Sequence, residues 1–284
     1  MPDQMLQGRT AIITGAAGGF GRVLVKGFLA EGAKVAALDV DADGLAQLEN
    51  EVADFPIDNI FSAVVDIADF AACARAVRDA RKNLGGLHIV VNNGAIGMGV
   101  IRSDHMTRPV GIQEIEPEIW QQFVAVNMSG AWNLTRAAIG HLLDQRWGRI
   151  INVTTSFFTM LRAGFQPYGP CKAGLEAMSL GHAQEFEGTG VTVNVVVPGG
   201  PSNTSMVPDE AGFERKDLVQ PEVMAPPIVW LCSDAASGIT GNRYIAQHWD
   251  SGKPPEQAEK ACRAAAAWPD LAQSPVWPGG KPGS

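Results

Sequence analysis

Basic runs are missing from this 284-residue sequence. Lys and Arg number 22 against 30 Asp and Glu, a formal net charge of −8, and they do not cluster. That pattern excludes a nucleic-acid groove or a face for anionic membranes and leaves small molecules as the expected partners. The four cysteines, Cys73, Cys171, Cys232 and Cys262, lie far apart with no C-x-x-C, so neither a zinc knuckle nor a disulfide framework is expected, and a reducing cytoplasm is. The five histidines are dispersed without ligand spacing, so no metal centre is expected. No apolar run approaches the roughly 18 residues of a membrane helix, and no tandem repeat is visible. Tyrosine is scarcest of all, with two in the chain. The place of each one therefore invites a reason.

What is present is a core's worth of apolar residues, 46% of the chain, arranged in a recurring order. Short runs rich in Val, Ile and Ala (RTAIIT, AKVAALDV, IFSAVVDI, LHIVVNNG, RIINVTT, VTVNVVVPGG) alternate with helical stretches at about 19–31, 42–54, 69–83 and 117–145 and with one carrying Tyr168. Continuous apolar strands separated by helices predict an α/β, doubly wound parallel sheet covered on both faces. Ligands of such sheets gather beyond the carboxyl ends of the strands. A long connection spans 97–116. Beyond Asp250 the chain turns rich in Pro, Ala and Gly, and residues 253–284 are expected to form an extension that wraps the domain or a neighbouring subunit, with Trp268 and Trp277 as anchors.

The stretch TGAAGGFG follows the first strand and opens the first helix. Its Gly15, Gly19 and Gly21, with Phe20 among them, permit a tight turn and close approach of a pyrophosphate to the helix N-terminus. Asp39 ends the next strand, where a carboxylate binds the ribose hydroxyls of a dinucleotide and repels a 2′-phosphate. NAD is thereby favoured over NADP. Tyr168 stands four residues ahead of Lys172, and Pro167 and Pro170 mark a helix start, so both side chains share a helical face. By itself this pair reads as a half-buried tyrosine beside a solvated lysine, and anything stronger must come from the rest of the chain.

Taken in order, Thr14 to Gly21, Asp66, the N-N stretch at Asn92, Asn127 in AVNMSG, Tyr168 with Lys172, and PGG at Pro198 resemble the short-chain dehydrogenase/reductase family in its classical form, over roughly residues 8 to 252. The resemblance implies a single Rossmann-like domain of about seven parallel strands within residues 1–252, assembled as a homodimer or homotetramer. It implies adenine contacts from Asp66 and Ile67, ribose contacts from Asn93 and Gly94, nicotinamide contacts from Pro198, Gly199 and Thr204, and a substrate lid over about 200–218. The family's catalytic serine lies thirteen residues before the tyrosine, and that position here is Thr155. Threonine keeps the hydroxyl and adds a methyl. Ser156 is the alternative, set aside because a one-residue shift on a strand reverses the side chain.

The activity so implied is NAD-dependent interconversion of a secondary alcohol and a ketone. Tyr168 is the acid/base, Lys172 lowers its pKa and holds the nicotinamide ribose, Thr155 orients the substrate oxygen, and Asn127 holds a proton-relaying water. Phe157, Phe158, Met160 and Phe165 suggest a bulky, partly apolar substrate or, equally, core packing; His105 is read as either a substrate contact or a solvated loop residue. Cys171, between Tyr168 and Lys172, is read as packing. Rival readings are a nucleotide-sensing module without turnover, which needs only the glycine turn and Asp39, and a lyase or epimerase using NAD without net redox.

Overall fold

A computed structural model describes residues 4–271. Its strands and helices follow one another as β1 (Thr10–Thr14), α1 (Gly19–Ala30), β2 (Lys34–Asp39), α2 (Ala42–Glu51), β3 (Ile60–Val64), α3 (Phe70–Leu84) and β4 (Ile89–Asn92). The second half runs α4 (Pro117–Val124), α5 (Gly130–Asp144), β5 (Gly148–Val153), α6 (Phe157–Leu161), α7 (Tyr168–Glu185), β6 (Val191–Val197), α8 (Ala225–Leu231), β7 (Asn242–Ile245), α9 (Pro255–Cys262) and β8 (Arg263–Ala265). The sheet order is β3-β2-β1-β4-β5-β6-β7-β8. Seven strands are parallel, as the alternation of runs requires. The eighth is antiparallel, with Asn242 opposite Ala265 and Tyr244 opposite Arg263. This strand was not expected, because an alanine-rich stretch carries helical rather than extended preference.

Because side chains alternate across a strand, each apolar run feeds two cores. Ile13, Val35 and Val91 face α1, α2 and α8, while Ile12, Leu38 and Val90 face α3, α5 and α7. Helix starts differ in a telling way. Asp41 caps α2 by accepting the Gly44 N–H, and Asp69 caps α3 by accepting the Ala71 N–H. At the start of α1, Gly18 offers no side chain at all, and no acidic residue lies in the first turn. The N–H groups and positive dipole end of that helix are left to something else.

The stretch read as one helix over 117–145 is two, joined by a π-helical turn at Ala125–Ser129. The segment after Asp250 folds back on the sheet: Tyr244 donates its hydroxyl to Glu259 at 2.9 Å, and Trp268 lies 5.5 Å from Phe157, ring centre to ring centre. Trp277 lies outside the described residues. Among the described residues no helix is long and apolar enough to cross a membrane.

Candidate active site

The chain turns back across the sheet between β1 and β4, and the cleft at their carboxyl ends gathers the singled-out residues. Gly15 adopts a left-handed φ of +63°, and a Cβ there would stand 2.8 Å from the Gly94 Cα. A side chain on Gly21 would strike the Gly15 carbonyl oxygen. These positions therefore accept only glycine, and the chain from Gly15 to Gly21 is drawn tight beneath the start of α1. Thr14 braces it: its Oγ1 accepts the N–H groups of Asn93 at 3.1 Å and Gly94 at 2.9 Å. Asn93 returns the contact, donating from Nδ2 to the carbonyls of Thr14 at 2.9 Å and Gly15 at 3.2 Å. Phe20, in the first turn of α1, reaches the adjoining cavity.

Asp39 closes the other side. Its Oδ2 accepts the Ala17 N–H at 2.9 Å and its Oδ1 the Asp41 N–H at 3.1 Å, which fixes the carboxylate at the mouth of the glycine turn. Asp66 lies exposed past the end of β3, accepting the Ala68 N–H. Ile67 instead points inward, where Gly130 of α5 admits it: a Cβ on that glycine would stand 2.7 Å from the Ile67 side chain. Pro198 and Gly199 follow β6, and Thr204 lies against Gly19, where a Cβ would meet it at 2.6 Å. Met206 lies likewise against Gly97. The segment after Gly200 thus rests on both the glycine turn and the loop after β4.

Asn127 sits in the π-helical turn, a form that recurs where a helix is shaped for a local task. Its Oδ1 accepts the Ile96 N–H at 2.8 Å and its Nδ2 donates to the Ile96 carbonyl at 2.9 Å. The side chain is therefore committed to holding the loop after β4. A water held at this turn would meet the Asn127 backbone or the remaining N–H and lone pair of its amide.

Tyr168 opens α7 and Lys172 follows one turn later. Lys172 is buried, with Nζ donating to the Val153 carbonyl at 2.8 Å and lying 5.9 Å from the centre of the Tyr168 ring. Burial pushes the Tyr168 phenol up to about 12, against which the Thr155 side chain beside it acts to favour ionisation. Burial also brings Lys172 down to about 8. The expected lowering of Tyr168 by Lys172 is thus reversed in the protein alone, because loss of solvent outweighs any help from a cation engaged elsewhere. Tyr168 is held as a phenol, a proton donor, beside an amine able to exchange protons near neutral pH.

Thr155 lies past the end of β5, with its side chain next to Tyr168. Ser156 is not on a strand, so alternation does not decide between them. Its hydroxyl caps α6, accepting the Thr159 N–H at 3.1 Å. Beneath Thr155 is a buried ion pair: Arg243 of β7 bonds Glu176 of α7, and its other terminal nitrogen donates to the Thr155 carbonyl at 2.7 Å. Thr154 adds its hydroxyl to Glu176 at 2.9 Å. Local pattern reading passes over this trio, although a glutamate within the apolar run of α7 is a visible anomaly.

A cavity of about 430 Å³ opens in front of Tyr168 and Thr155. Phe158 and Phe165 line it, but Phe157 does not: its ring packs on Arg243 and Trp268 behind the site. Met160 is buried away from the cavity. His105 is neither solvated nor remote. It is 3% exposed, lines the cavity, and meets the Phe165 ring edge-on. Cys171 is buried, and burial raises its thiol to about 11, so it is inert near neutrality.

A family model described as short chain dehydrogenase matches residues 9–213. A 3-oxoacyl-[acyl-carrier-protein] reductase of Thermotoga maritima is 29% identical over 244 residues, covering 83% of this chain and 95% of its own. A 2,5-dichloro-2,5-cyclohexadiene-1,4-diol dehydrogenase of Sphingobium indicum is 32% identical over 244 residues, covering 83% and 93%. Among solved structures, a 3-ketoacyl-(acyl-carrier-protein) reductase of Brucella melitensis complexed with NADH superposes with a TM-score of 0.71 at 27% identity, covering 84% of this chain and 96% of that one.

Proposed function

The chain belongs to the short-chain dehydrogenase family, and from that premise we propose that it is an NAD-dependent oxidoreductase interconverting a secondary alcohol and a ketone, with Tyr168 as the acid and base. The observation that carries this reading is the meeting of Tyr168, Lys172 and Thr155 in one cavity that Phe20, in the first turn of the uncapped α1, also lines. The residues present fit the cofactor. The open N–H groups of α1 accept a pyrophosphate, Asp39 takes the ribose hydroxyls, and Gly94, Pro198, Gly199 and Thr204 border the nicotinamide half. Asp66 takes the adenine end, with Ile67 meeting it through backbone rather than through its inward-facing side chain. The preference for NAD is supported by the nearest cations being engaged. Arg22 donates to the Ala17 carbonyl at 2.7 Å and pairs with Glu51, and Lys26 reaches Glu51 at 2.6 Å, so neither is free for a 2′-phosphate.

The bound nicotinamide supplies or takes the hydride. In reduction, Tyr168 gives its proton to the ketone oxygen as the carbonyl carbon is reduced, and the Thr155 hydroxyl donates to the same oxygen. The resulting phenolate recovers its proton from Lys172, whose lowered pKa suits the transfer. In oxidation the same groups work in reverse. Asp39→Ala tests the cofactor assignment; because it also removes the bonds to the Ala17 and Asp41 N–H groups, cofactor preference rather than affinity alone is the readout. NAD affinity is expected to fall about tenfold and the gap to NADP to narrow, as read by titrating both reduced cofactors. An unchanged preference contradicts the assignment.

The reading extends to a homodimer or homotetramer. Trp120 of α4 and Trp132 of α5 are left exposed, the latter beside exposed Phe70, an apolar surface suited to self-association. Light scattering that gives a monomer mass at micromolar concentration would count against it.

A further inference from the structure

The reacting end of the cavity is accounted for by Tyr168, Thr155 and Lys172, but its charge is not. No carboxylate lines it, and its charged side chains are Lys172 and Arg162. Lys172 is buried, donates to the Val153 carbonyl and serves Tyr168 in the reaction proposed above. Arg162, just past the end of α6, enters no ion pair and no hydrogen bond among the described residues. Neighbouring arginines behave otherwise: Arg102, in the connection before α4, pairs with Asp104 at 3.0 Å and Glu114 at 2.7 Å, and Arg215, in the segment over the cleft, pairs with Asp209.

Arg162 is held by rings alone. Its guanidinium carbon lies 4.7 Å from the centre of Phe165 and 5.7 Å from that of Phe158, both cavity-lining residues. Aromatic contact steadies a guanidinium without consuming its N–H edge, which is the part that forks onto a carboxylate. His105, on the same Phe165 ring, has its pKa lowered by burial and so adds no second cation. The remaining wall mixes the apolar Met98, Met106, Met206 and Val207 with neutral hydroxyls of Ser156, Thr159, Ser202 and Thr204.

Resting on the oxidoreductase reading above, we propose that the cavity selects an anionic substrate, an oxo or hydroxy acid with an apolar or aromatic body, and that Arg162 is the residue that binds its carboxylate. The reacting carbon lies at Tyr168 and the carboxylate at the Phe158–Phe165 edge of the cavity. Because this ion pair forms equally before and during the reaction, it acts on binding rather than on the chemical step.

Its test measures equilibrium binding of benzoylpropionate, phenylglyoxylate and their methyl esters to the NADH-loaded protein, together with steady-state reduction. Wild type is expected to bind an acid at least about tenfold more tightly than its ester. Arg162→Gln is expected to weaken acid binding about 10- to 100-fold while changing the ester less than about threefold, and Arg162→Lys to keep part of the preference. Where turnover is seen, KM carries the change and kcat is nearly unaltered. Acid and ester binding alike in wild type, or a preference for the acid that survives Arg162→Gln, overturns the proposal. Arg162-dependent binding of the acid without reduction of any ketone supports it and contradicts the oxidoreductase reading alone.

Discussion

The two sides of the cleft are built by opposite means. Around β1, α1 and β4 the geometry is made of backbone, with glycines that tolerate no side chain and the Thr14 and Asn93 bonds holding main chain to main chain. Around β5 and α7 it is made of side chains brought from far apart. Thr155 rests on Arg243, Arg243 on Glu176, and the apolar wall comes from the 97–116 connection, α6 and the segment after Gly200. A backbone site presents one shape and suits a ligand that never varies. A side-chain site can be re-cut one residue at a time without disturbing its neighbour, which suits the partner that differs among relatives.

That contrast is broken most severely at Glu176. Glu176→Gln leaves Arg243 charged and unpaired in the interior, and a loss of about 3–5 kcal/mol in stability is expected from denaturant unfolding. The double replacement Glu176→Leu with Arg243→Met should recover most of it, because neither charge then needs a partner. At a temperature where the variants remain folded, NADH affinity is expected within about threefold of wild type, since the pair supports the substrate side only. Equal losses on both sides would mean that the halves are not separable.

A smaller effect lies on the seam, at Lys172. Its folded pKa of about 8 is below the unfolded value of 10.5, so between those pH values the unfolded chain binds more protons and stability rises with pH. The rise is on the order of 3 kcal/mol, present in full above pH 10.5 and absent below about pH 8. Lys172→Met should lack this slope. Unfolding of the cofactor-free proteins at several pH values checks it, and parallel pH profiles would contradict burial as the cause.

The backbone side was the more legible from sequence. Alternating strands and helices, the glycine turn and Asp39 are local patterns whose meaning depends on near neighbours. The side-chain site is not local: Arg243 and Glu176 lie 67 residues apart, and nothing near either announces the other. The π-helical turn at Asn127 interrupts a pattern that reads as continuous helix, and β8 exists because β7 offers it an edge, not because alanine favours strands. Spacing placed Lys172 next to Tyr168 but could not show how far burial shifts either group in the protein alone. The sign of a pKa shift depends on how much water is removed, and that follows only from the packed structure.

The central claim, that the Tyr168 hydroxyl carries the proton, is tested most directly by single-turnover reduction of a ketone with Tyr168→Phe and saturating NADH. The account predicts a fall of about a thousandfold or more in the chemical step with NADH affinity within about threefold of wild type. A hydride-transfer rate equal to that of the wild type would contradict it.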